Sequence, residues 1–161
     1  MLVSTQRGIE SFMEAASEGW SWLAVRSPLE RMARALQQST NVVIYEPEVS
    51  YRPLRGNPVL RDELDRRHAF AVQWRGSPWS FLLRTIDWIT TVDAVATRRM
   101  AAELSSHLVT ETVASIGAYG GAECRYFRYG KEVGRVDSDD PTSGLYEFLD
   151  EREIWLPACF I

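Results

Sequence analysis

Three aspartates fall within four residues of the stretch RVDSDDPTSG (Arg135 to Gly144): Asp137, Asp139 and Asp140. Carboxylates so spaced can ligate a hard cation, supply a nucleophile or open a helix, and their neighbours discriminate among these. A calcium loop counted from Asp137 requires an oxygen donor at its fifth position, glycine at its sixth and glutamate at its twelfth. The chain places Pro141, Thr142 and Phe148 there. An aspartate nucleophile at a strand end needs further strands bearing a lysine and more acids, and only 24 residues follow Asp137. Asp140-Pro141 reads instead as a helix start, with the carboxylate accepting from free backbone N–H groups and proline at the first helical position.

The acids continue past this turn. From Asp137 to Glu153 seven acidic residues stand against the single basic Arg152, whereas the rest of the chain carries 17 basic and 15 acidic residues, so the net charge of -4 is concentrated in one segment. Such a patch steers and contacts a basic partner. The predicted contact set is Asp137, Asp139, Asp140, Glu147, Asp150 and Glu151, with Tyr146 as an aromatic anchor.

A second candidate lies in Glu48 to Arg67, an irregular stretch holding five arginines and four acids around Pro53, Gly56 and Pro58. Tyr51, Arg52, Arg55 and Arg61 could hold an anionic ligand there. Other residues carry weaker signals. His107 and Glu111 have i,i+4 spacing, but no third ligand is near, and His68 reads as a loop-to-strand boundary residue. The segment RYFRY (Arg125 to Tyr129) interleaves arginine with aromatics, yet it lacks the glycines of an RNA-stacking strand; a sheet strand with Phe127 packed and Arg125 or Arg128 exposed accounts for it. Trp20 and Trp22 stand two apart and cannot share one helical face, so one of them is expected partly exposed at a helix end. No GxSxG elbow, P-loop or GxGxxG fingerprint occurs, and the sequence implies no cofactor and no metal.

The elements that must position these residues follow from periodicity. Ile9, Phe12, Met13 and Ala16 mark a first helix, and SPLERMARALQQ a second, capped by Ser27 with Pro28 and Glu30 behind it and buried through Leu29, Met32, Ala33 and Leu36. NVVIYE (Asn41 to Glu46) reads as a strand. AFAVQW and WSFLLRTI form a hairpin, a long helix opens at Thr90 with a stripe of Val92, Ala96, Met100, Leu104 and Leu108, and three strands make a meander turning at Gly120-Gly121 and Gly130-Lys131. A short helix, GLYEFLDER, precedes an apolar ending.

The prediction is a single α+β domain over 1–161 in the order ααβββαβββα, with about six mostly antiparallel strands packed against helices. It comprises a helical pair over about 5–38, a hairpin, helix and meander over about 41–136, and a short helix with an apolar tail over about 140–161. No run of apolar residues reaches membrane-spanning length, and the first residues lack the plan of a signal peptide, so the expected place is the cytoplasm. Cys124 and Cys159 belong to no CxxC pair and are expected reduced, with a bridge between them left open. Seventeen of the eighteen basic residues are arginine, a bias that reads as a GC-rich bacterial genome.

The functional expectation is a non-catalytic binder of a basic protein, of the immunity-protein or antitoxin kind, with no affinity for nucleic acid or membranes. Two alternatives stay open: a small-molecule-binding protein or enzyme using the arginine-rich loop, and a structural subunit that forms homo-oligomers through Trp155, Phe160 and Ile161.

Overall fold

The computed structural model describes residues 20–39, 70–73, 75–85, 91–118, 121–138 and 145–154. Its first described element is a strand, Trp20–Val25 (β1), where no strand was expected, and Leu29–Ser39 forms the expected second helix, here α1. Trp22 and Ala24 pack on one side of β1 and Leu23 and Val25 on the other, all buried. A strand buried on both faces loses the polar–apolar alternation that would announce it. Trp20 and Trp22 thus stand on a strand rather than at a helix end, and Trp22 is fully buried, at 0% exposure.

The central place of β1 explains this burial. It pairs antiparallel with β3 (Ser80–Thr85) on one side and β4 (Glu111–Ala118) on the other, with Trp22 opposite Leu83 and Ser115. Together with β2 (Phe70–Gln73), β5 (Gly121–Arg128) and β6 (Lys131–Ser138), these strands form one six-stranded antiparallel sheet in the order β2-β3-β1-β4-β5-β6. The α+β class therefore stands. The predicted strand at 41–46 and the first helix lie outside the described residues.

Within the meander, the turn between β5 and β6 sits one residue earlier than expected. Arg128 pairs with Lys131, and the two residues between them, Tyr129 (φ 53) and Gly130 (φ 82), both take left-handed backbone. That is the backbone of a type I′ turn, which matches the twist of the flanking strands. Past this turn Tyr126 pairs with Gly134 but Phe127 with Glu132, so Val133 is an extra residue bulged out of β6.

Helices cover the sheet from two sides. On one side α1 and α2 (Thr91–His107) bury Met32, Ala35, Leu36, Ala101, Leu104 and Leu108 against Leu23, Val25, Ala114 and Phe127. The expected stripe of α2 holds at Met100, Leu104 and Leu108 but not at Ala96, which is exposed while its neighbour Thr97 is buried. Thr97 is tolerated there because its hydroxyl meets that of Ser21 at 3.4 Å. At the start of α1 the cap comes from across the sheet, as Leu29 N–H donates to Gln73 Oε1 at 2.9 Å while the Ser27 hydroxyl turns to the Pro28 carbonyl. On the other side α3 (Leu145–Asp150) and the turn after it press Phe148, Leu149 and Ile154 onto Trp79, Phe81, Val113 and Tyr126. Each such buried side chain contributes about 1.5–3 kcal/mol, enough to hold a helix too short to persist alone.

Candidate functional site

A cleft of about 390 Å³ opens where the C-terminal end of β1, the start of β4 and the end of β5 meet the turn after α3; it is lined by Arg26, Glu111, Tyr126, Arg128, Glu151, Arg152 and Glu153. Strand pairing builds its floor. Glu111 is the cross-strand partner of Arg128, and alternation puts Tyr126 and Arg128 on the same face of β5. The Glu111 carboxylate accepts from Tyr126 Oη at 2.6 Å, from Arg128 Nη2 at 2.6 Å and from Arg26 Nη1 at 2.9 Å. Above them the Arg152 guanidinium stacks on two rings, 3.9 Å from the Phe148 centroid and 4.8 Å from that of Tyr126. Its Nη1 donates to the Phe148 carbonyl, and its own carbonyl accepts from Trp79 Nε1 at 3.0 Å.

These contacts fix the charge state of the floor. Burial alone would raise the Glu111 carboxyl, but the hydrogen bonds from Tyr126, Arg26 and Arg128 outweigh it and bring the group down to about 2. Glu111 is thus a permanent anion near neutral pH rather than a proton carrier. Burial and then the bond to Glu111 push the Tyr126 phenol up, so it stays a donor. The Cys124 thiol is also pushed up, by burial in the same face of the sheet. Glu111 and Tyr126 thus present a fixed negative charge and a fixed donor at the cleft floor, while the Cys124 thiol stays protonated inside the core.

A second ionic network runs along the opposite face. Arg98 of α2 grips Glu123 through two bonds of 2.6 Å, and Arg125 joins Glu123 to Glu132. Burial would raise the Glu123 carboxyl, yet the bonds from Arg125 and Arg98 hold it below its ordinary range. This network ties the long helix to the outer strands.

The residues predicted for partner binding are placed unevenly. Glu147, Asp150 and Glu151 are exposed on α3 and the turn that follows, joined there by Glu153, while Glu151 also meets Arg152 at 3.2 Å. Asp137 occupies β6 opposite Glu123, and α3 lies beside β6. Tyr146 belongs to α3. Asp139 and Asp140 lie outside the described residues, as do Tyr51, Arg52, Arg55 and Arg61 of the alternative anion site, His68 and the residues after Ile154. His107 ends α2 and Glu111 begins β4, so they share no helical face. Among the described residues no group of three potential metal ligands occurs, and no helix is long and apolar enough to cross a membrane.

Arg26 and Arg152 escaped the sequence reading, and Glu111 entered it only beside His107 as a metal ligand. One signal was present: pairing RYFRY with the strand before it brings Glu111 opposite Arg128. Nothing local marked Arg152, whose stacking depends on where α3 lands. No family model matches the chain, and comparison with curated proteins and with solved structures finds no significant match. What fold and site define is a class: an antiparallel α+β domain with a fixed ionic cleft at one end of its sheet and an acidic helix beside it.

Proposed function

We propose that this protein is a non-catalytic binding domain that engages a basic partner protein through the acidic surface of α3 and its following turn, as a stoichiometric inhibitor of the immunity-protein or antitoxin kind. The observation that carries the reading is the division of labour in this short segment. Phe148, Leu149 and Ile154 are buried, while Glu147, Asp150, Glu151 and Glu153 face solvent. The charges are therefore displayed on an anchored element and lose little freedom when a partner docks. The neighbouring Asp137, Asp139 and Asp140 extend the same acidic stretch in sequence, and Tyr146 would serve as its aromatic anchor. Acidic surfaces of this kind act mainly on the association rate.

The test is capture from native lysate on the tagged protein and on a Glu147→Lys/Glu151→Lys variant, each eluted across a salt gradient and identified by mass spectrometry. One basic protein, recovered in equal amount on the wild type, released by salt and absent from the variant, is the expected result. Identical capture on both would sink the acidic surface as the contact.

A further inference from the structure

At the end of the sheet beside the cleft, two turns are stitched together. The α2–β4 turn holds Val109 at φ 52, and the β5–β6 turn holds Tyr129 at φ 53. Tyr129 N–H donates to the Thr110 carbonyl at 3.3 Å. The fully buried Ser105 binds both turns, its Oγ donating to the Thr110 carbonyl at 2.8 Å and accepting from Gly130 N–H at 3.0 Å. Left-handed backbone is where glycine or asparagine costs least, and a β-branched residue there is an outlier. The chain instead carries valine and tyrosine, and both stand out in solvent, at 69% and 60% exposure. Local rules broken in this way, on a frame that forbids relaxation, are characteristic of recognition sites.

The charges around this tip have one dominant sign. Arg26 accepts the Thr110 hydroxyl on its carbonyl, Arg31 reaches the Leu108 carbonyl with Nη2, and Arg128 and Lys131 flank the Tyr129 turn. Against these four cations stands Glu111, already shared between Arg26 and Arg128. Arg31 and Lys131 have no carboxylate partner among the described residues. Glu132 is held by Arg125, and Glu151 and Glu153 lie on the α3 side of the cleft.

We propose that this tip is a docking site for an acidic protein segment bearing an apolar side chain, which would pack on Val109 and Tyr129 while its carboxylates meet Arg31, Lys131 and Arg26. An exposed rigid aromatic at the centre of a charged rim is the usual form of a binding hot spot. The aliphatic Val109 favours a protein over a nucleic acid, whose phosphates would leave it uncovered. The site has the opposite sign to the acidic surface of α3, and the two meet at the cleft, where Arg26 and Arg128 share a lining with Glu151 and Glu153.

The experiment uses the full chain, immobilised and panned against a displayed library of random peptides. Selected peptides are then measured by fluorescence anisotropy and mapped by amide chemical shifts. Expected are sequences with Asp or Glu around an apolar residue, shifts centred on Val109, Thr110, Tyr129 and Lys131, and affinity lowered about tenfold or more by Tyr129→Asn or Lys131→Glu. Tyr129→Asn keeps a residue that tolerates left-handed backbone, so the fold is retained while the ring is lost; Arg75→Gln, exposed in the β2–β3 turn, serves as the control that leaves affinity unchanged. The proposal is overturned if selection yields no acidic preference, if either tip variant binds as the wild type does, or if an oligonucleotide or a second copy of the chain proves to be what occupies the tip.

Discussion

Replacing Glu111 by glutamine keeps the shape of the cleft floor and removes its charge, which makes the variant a direct probe of the ionic cluster. The carboxyl lies at about 2 in the folded protein against an ordinary 4.5, a difference equivalent to about 3 kcal/mol of stabilisation. Arg26 and Arg128 are about half exposed, at 53% and 49%, so water screens part of this, and the measurable share is about 2 kcal/mol. The sign follows from the direction of the shift. A carboxylate depressed by folding contributes its full stabilisation above about pH 4.5 and loses it as pH falls toward about 2. Urea unfolding of wild type and Glu111→Gln across this range should therefore show the variant weaker by about 2 kcal/mol at neutral pH, with the gap closing toward about pH 2.5. Glu123 also titrates below its ordinary range, but it is common to both proteins and cancels in the difference. Parallel pH curves, or a variant as stable as wild type at neutral pH, would refute the assignment of this stability to the Glu111 carboxylate.

Glycine substitutions separate backbone conformation from crowding. Gly130 and Gly76 both have positive φ, but a Cβ on Gly130 would lie 2.9 Å from the Ser106 Cβ, whereas one on Gly76 meets nothing within 4 Å. Thermal melts should show Gly130→Ala losing about 2–3 kcal/mol and Gly76→Ala about 1 kcal/mol, and equal losses would remove the close approach to Ser106 from the account. Cys124 is fully buried and its thiol pushed up by that burial. In a Cys159→Ser protein it should react with a thiol reagent only as fast as the chain unfolds, and immediate labelling of the native protein would contradict the packing of β5.

How much of this was legible in the sequence depended on where each element sits. The hairpin was readable because Trp79, Phe81 and Leu83 alternate onto one buried face of a strand near the sheet margin. In α1 the stripe of Met32, Ala33 and Leu36 repeats at helical spacing, and the structure buries all three. Trp20–Val25 was not readable, because a central strand covered on both faces presents an apolar run that suits helix and strand alike. In α2 the stripe through Met100, Leu104 and Leu108 was readable, but Thr97 was not: it counts as polar in a pattern, and a partner across the interface makes it a core residue. The acidic residues of α3 were visible as composition. The cleft beside them was not, since it is assembled by strand register between positions 26, 111, 128 and 152, far apart in the chain.

The central position of β1 also sets a timetable. Hairpin β2–β3 and meander β4–β5–β6 are each local and can close soon after they are made. By contrast β1 leaves the ribosome before both and must wait for its second neighbour, since Val25 pairs with Thr112. At roughly 5–20 residues per second that delay is on the order of 5–20 s. Throughout it a strand with apolar residues on both sides lacks its second mate, and even when paired with β3 it keeps one bare edge where β4 belongs. Completion of the sheet therefore requires the long-range pairing of β1 with β4. Such long-range closure is slower than the formation of any local hairpin.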